Sequence, residues 1–109
     1  MVPPSLSLIW LGSTEDPAER RVVEELLLAG VVVRAEAAPP GFAEWTLSQQ
    51  LEAVRPQLGP TVAAAWIEQD SGALHLQVAF VESERAVVRV VDAAPGDEAR
   101  LALTARELL

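Results

Sequence analysis

The sequence predicts an α/β fold, a two-layer sandwich of three helices on a mixed five-stranded sheet in the order β-α-β-α-β-β-β-α. Three observations carry this. Short apolar runs of strand length stand at 5–11, 31–33 and 62–68. Amphipathic stretches with start and stop signals separate them. Strict alternation then sets in from Ala73 to Val81, between turn residues on both sides.

Ser5–Leu11 reads as a buried strand that pairs only after Pro3 and Pro4, which cannot donate ladder hydrogen bonds. Asp16 is a good N-cap for the first helix, Pro17 suits its first position, and Glu19 stands at capping-box spacing. Val22, Val23, Leu26 and Leu27 share one helical face, and Gly30 supplies a left-handed stop. Val31-Val32-Val33 opens the second strand, which ends before a turn at Pro39-Pro40-Gly41.

Thr46 and Gln49 form a second capping-box spacing, with Leu47, Leu51, Val54 and Leu58 as the apolar stripe of the second helix. Pro56 should end that helix near Arg55. After Gly59-Pro60 come strand three, Val62–Glu68, a three-residue loop Asp70-Ser71-Gly72, and strand four, Ala73–Val81. A three-residue loop sets Trp66 opposite Leu76, Ala64 opposite Val78 and Val62 opposite Phe80.

Strand four alternates: Leu74, Leu76, Val78 and Phe80 face one way, His75, Gln77 and Ala79 the other. Glu82-Ser83-Glu84-Arg85 turns into strand five, Ala86–Asp92. Pro95-Gly96 leads to a third helix, capped by Asp97 or Gly96, with Leu101, Ala102, Ala105, Leu108 and Leu109 as its stripe. The expected strand order is 2-1-3-4-5, with right-handed crossovers.

At 109 residues the chain is a single domain on the rough measure of about 100–200 residues per domain. The closing helix ends on Glu107-Leu108-Leu109 without a stop signal, so the chain is expected to be the N-terminal part of a longer protein. Five aromatics in a chain that is 50% hydrophobic leave the core to Leu, Val and Ala.

The net charge of −8 repels phosphate backbones and anionic headgroups, so no nucleic-acid partner is expected, and no segment is a candidate for membrane insertion. All basic residues are Arg, which excludes Schiff-base lysines and a P-loop lysine. With no Cys, thiolate chemistry and Cys-based metal sites are excluded. The compartment is not readable from that.

Few side chains suggest chemistry. Gly12-Ser13-Thr14 lies between a strand and a helix N-terminus, where amides can bind an anion, but Glu15 and Asp16 occupy that ground; a turn and a cap explain the segment. His75 is the single histidine. A symmetric strand four–five turn puts Val81 opposite Ala86 and His75 opposite Asp92, an oriented imidazole with no evident nucleophile beside it.

Glu68, Asp70, Glu82 and Glu84, like Glu36 and Glu44, read as solvated turn carboxylates. No catalytic residue, cofactor or metal ligand is assigned. Phe42 and Trp45 beside the proline turn form either an exposed anchor or a lid over the sheet. Together with an edge strand presenting Val87, Arg89 and Val91 they are the expected interaction surface.

The Asp16-Pro17-Ala18-Glu19 helix start, the Thr61–Asp92 meander and the terminal Ala99–Leu109 helix together resemble the N-terminal domain of TolB and related small α/β modules of bacterial envelope proteins. The run Ala86–Asp92 followed by Arg100–Leu109 is similar to a strand-plus-helix pattern in such proteins. The resemblance implies a non-catalytic, periplasmic assembly or interaction role with a protein partner. The alternatives are a small ligand-binding or enzymatic domain using His75 and Asp92 or the Gly12–Thr14 turn, and a homodimerisation domain.

Overall fold

The computed structural model describes residues 7–12, 15–70, 73–94 and 96–108. Its elements are β1 (Ser7–Leu11), α1 (Pro17–Leu28), β2 (Val32–Glu36), α2 (Leu47–Val54), β3 (Val62–Asp70), β4 (Ala73–Glu82), β5 (Arg85–Ala93) and α3 (Glu98–Leu108). One-turn 3-10 segments stand at Phe42–Glu44 and Arg55–Gln57. The expected strand start at Ser5, Pro3 and Pro4, Ser13-Thr14, Ser71-Gly72, Pro95 and Leu109 lie outside the described residues.

The sheet order is β2-β1-β3-β4-β5, as the sequence predicts. β1 is parallel to both β2 and β3, while β3, β4 and β5 run as an antiparallel meander. The element order and the mixed five-stranded sheet with three helices match the predicted α/β sandwich.

A third layer joins the two expected. Leu8 and Trp10 pack with Val22 and Leu26 of α1 and Leu101, Ala102 and Ala105 of α3, whereas Ile9 and Leu11 pack with Phe42 and Val54 on the opposite face. The strand order explains the division. The chain moves from β1 outward to β2, then back past β1 to β3, and two crossovers of one hand in opposite directions must pass over opposite faces.

Local signals set the element ends. Asp16 accepts from the amides of Ala18 and Glu19, and α1 closes in a Schellman arrangement: Gly30 (φ +88°) donates to Leu27 and Val31 to Leu26, each at 3.0 Å. Thr46 and Gln49 form the reciprocal capping box, with bonds of 2.9 and 3.2 Å. Pro56 sits in the 3-10 turn that ends α2.

Trp10 is wholly buried, and its indole N–H donates to Glu19 at 3.1 Å. Glu19, at capping-box spacing from Asp16, thus turns its carboxylate to the core. Gly12 makes room for it, since a Cβ there would lie 2.0 Å from Glu19 Oε1.

The β3–β4 register differs from the expected one by a single residue. Trp66 stands opposite Gln77, Ala64 opposite Ala79 and Ile67 opposite Leu76, with Asp70 and Ala73 as the last pair. Two residues, not three, therefore link the strands. Matching apolar sides does not discriminate these registers, because Ala63, Ala64, Ala65 and Trp66 are all buried and both faces of β3 are covered.

The β4–β5 register agrees with expectation, with Val81 opposite Ala86 and His75 opposite Asp92. Its turn places Ser83 at φ +51° and Glu84 at +64°, both left-handed, between the paired Glu82 and Arg85. Positive φ at both central positions is the type I′ pattern that suits the twist of a hairpin.

Candidate interaction face and its polar row

The two faces of the sheet are unequally covered. α1 and α3 pack side by side on one, while the other carries α2, eight residues long. Five strands spaced about 4.8 Å apart span about 19 Å, and a helix with its side chains is about 10–12 Å across. One helix leaves ground open on either side.

Three hollows mark this ground. One of about 340 Å³ separates Leu47, Ser48 and Leu51 of α2 from Ala86, Val87, Val88 and Arg89 of β5. A second, about 230 Å³, lies over Ser7, Ile9, Val32, Arg34 and Val62. The third, about 410 Å³, lies along the outer side of α2 at Trp45, Ser48, Gln49 and Glu52.

Phe42 and Trp45 act mainly as a lid. Gly41 (φ +78°) opens the 3-10 turn that drops Phe42 onto the sheet, where its ring meets Trp66 edge-on at 5.2 Å and Trp45 at 5.7 Å. Phe42 is buried and so contributes no surface; Trp45 is half-buried and walls the third hollow. Of the β5 residues, Arg89 is exposed and Val87 and Val91 are partly buried, Val91 against the core of the α1–α3 face. The aromatics and Val91 thus belong to opposite sides of the sheet.

A row of polar side chains crosses the α2 face. Gln50 on α2, 1% exposed, donates through Nε2 to the Phe42 carbonyl at 2.8 Å and to Glu68 Oε1 at 3.1 Å. Glu68 stands opposite His75 on β4, and His75 Nδ1 hydrogen-bonds Asp92 on β5. The His75 and Asp92 side chains are 29% and 68% exposed. Beside this row Trp66 Nε1, Gln50 Oε1 and Gln77 Oε1 are buried without a hydrogen-bond partner among the described residues.

The expected turn carboxylates are elsewhere engaged or exposed. Glu36 pairs with Arg34 at 3.1 Å and Glu82 with Arg89 at 3.7 Å, while Glu44 and Glu84 are exposed. Among the described residues no group of three His, Asp or Glu side chains is placed to hold a metal ion. The Gly12 turn is filled by the Glu19 carboxylate, so the described part of that segment serves the Trp10 contact rather than an anion.

Two contributors to this face are not apparent from apolar spacing alone. The predicted α2 stripe omits Gln50, although it lies three residues after Leu47 and four before Val54 and therefore on the same face. The helix is rotated so that Gln50 is buried and Leu47 is 41% exposed. Gln77, read as part of a partly polar face, is 6% exposed. A polar residue on an apolar stripe is the available signal for Gln50; Gln77, between His75 and Ala79 on its face, carries no such signal.

β5 has β4 as its one neighbour among the described strands. It pairs with β4 without a break from Ala93 to Arg85, holds no Gly or Pro, and leaves Val90 48% exposed on the α2 face. In sequence comparisons the chain matches no protein-family model and no curated protein.

Proposed function

We propose that this chain is a non-catalytic protein-interaction module that binds a partner along the β5 edge and the open strip of the α2 face beside it. The observation that supports this most is β5 itself, nine residues long and unprotected by proline, glycine or a bulge. An edge strand of this kind offers a row of backbone donors and acceptors to an added strand. Exposed Val90 on the strand and Leu47 of α2, across the hollow from Ala86 and Val88, supply apolar contact. The TolB-like element pattern supports an assembly role in a bacterial envelope-associated protein.

The test is capture of partners by the wild-type chain and by a Val88→Lys/Val90→Lys variant, followed by reconstitution with the purified partner. A partner bound by the wild type and lost in the variant, with the fold retained by circular dichroism, is the expected result. Binding that ignores both changes contradicts it.

A second reading, a ligand-binding or enzymatic domain, draws on the His75–Asp92 pair, in which a carboxylate orients an imidazole as it would a general base. Neither residue lines the three hollows described above. A His75→Ala variant that keeps partner binding favours the interaction reading.

A further inference from the structure

We infer that the β5 edge selects an extended partner segment with acidic residues four positions apart and apolar residues between them, an assignment that rests on the interaction role proposed above. Along the side of β5 that faces away from α2, the residues run Arg85, Val87, Arg89, Val91 and Ala93; along the other they run Ala86, Val88, Val90 and Asp92. An antiparallel strand laid beside β5 places its own side chains directly opposite these. Acidic residues across from Arg85 and Arg89, with apolar ones across from Val87 and Val91, satisfy one side; small apolar residues satisfy the other.

The two arginines stand out in a chain of net charge −8. Arg89 keeps 57% of its side chain exposed even with Glu82 at 3.7 Å, so an incoming carboxylate can reach it. The other sheet edge, β2, is five residues long, and its Arg34 is paired with Glu36 on the same strand at 3.1 Å.

A second copy of the chain fits β5 less well. Arg89 is the middle residue of Arg85–Ala93, so antiparallel self-pairing with full overlap sets Arg89 opposite Arg89. Like charges directly opposite are destabilising. An acidic strand turns that contact into an attraction.

The experiment titrates the labelled chain with three nine-residue peptides of valine and threonine carrying glutamate, glutamine or lysine at two positions four apart. It is followed by amide chemical shifts at about 0.1 M salt, where the overall acidity is screened beyond about 10 Å. The glutamate peptide is expected to shift β5 amides and to bind about tenfold more tightly than the lysine peptide, two cross-strand charge pairs being involved. Arg89→Glu, which leaves one attractive and one repulsive pair for either peptide, should abolish that preference, and Arg85→Glu/Arg89→Glu should invert it.

Equal binding of all three peptides at β5 overturns the acidic preference while leaving the edge as a binding site. Shifts confined to residues outside β5, or none with any peptide, overturn both the preference and the interaction reading. A dimer in sedimentation that Val90→Lys splits assigns the edge to a second copy and overturns the inference.

Discussion

Gln50 and Glu68 are joined by a 3.1 Å hydrogen bond that ties the buried side of α2 to β3, and the same Gln50 amide nitrogen holds the Phe42 carbonyl at 2.8 Å. One side chain therefore anchors a helix, a strand and the turn that carries the aromatic lid. Its position makes the α2 face sensitive to a single charge.

Gln50→Glu places a second carboxylate against Glu68 and an acceptor against the Phe42 carbonyl. We expect a loss of about 3 kcal/mol at neutral pH, the range for an uncompensated buried charge. Repulsion and burial raise the introduced carboxyl's pKa in the folded variant above its unfolded value of about 4.3. The folded state then binds more protons than the unfolded state above that value, so stability falls as pH rises and is regained on acidification. Urea melts of variant and wild type at several pH values check this; a deficit independent of pH contradicts it.

Trp10, Gly12 and Glu19 form a coupled set. Glu19→Ala leaves a buried indole N–H without this acceptor, at a cost of about 1–3 kcal/mol. Gly12→Ala should cost a similar amount by displacing the Glu19 carboxylate. The two losses share one cause, so the double variant should fall short of their sum by at least about 0.5 kcal/mol. A double-mutant cycle by denaturant melts decides it, and strict additivity would count against the contact.

Gln77 is buried with an unpaired amide oxygen opposite Trp66. Gln77→Met keeps the unbranched shape and removes the orphaned polar group, and should stabilise the chain by about 1 kcal/mol. Thermal melts read this directly. A loss of stability would show that the amide serves the fold.

Ser83 and Glu84 hold left-handed φ values without being glycine. The conformation costs about 1–2 kcal/mol per residue for ordinary side chains, less for asparagine and little for glycine. Ser83→Asn/Glu84→Gly should therefore raise stability by about 1 kcal/mol and leave the β4–β5 register intact. Calorimetry measures the first, and cross-strand amide contacts report the second.

Much of this fold was legible in the chain. Caps and stops announced α1 and α2, and Glu82–Arg85 announced the hairpin whose symmetric turn set His75 against Asp92. Where the sequence misled, both faces of the sheet were covered. Ala63–Trp66 is apolar on both sides, so alternation could not choose between Leu76 and Gln77 as the partner of Trp66. The separation of α1 and α2 onto opposite faces followed from the strand order combined with the crossover rule. Gln50 is invisible to apolar spacing, which counts only hydrophobic residues, although its position between Leu47 and Val54 puts it on the buried stripe.

The interaction role proposed for this chain requires the outer edge of β5 to be open in the free protein and covered in the complex. Hydrogen exchange of the β5 amides that point away from β4, measured before and after addition of the glutamate peptide, tests it most directly. Rapid exchange is expected in the free chain and at least tenfold slowing in the complex, confined to that alternate set. Outward amides already protected in the free chain, or unchanged by the peptide, would contradict it.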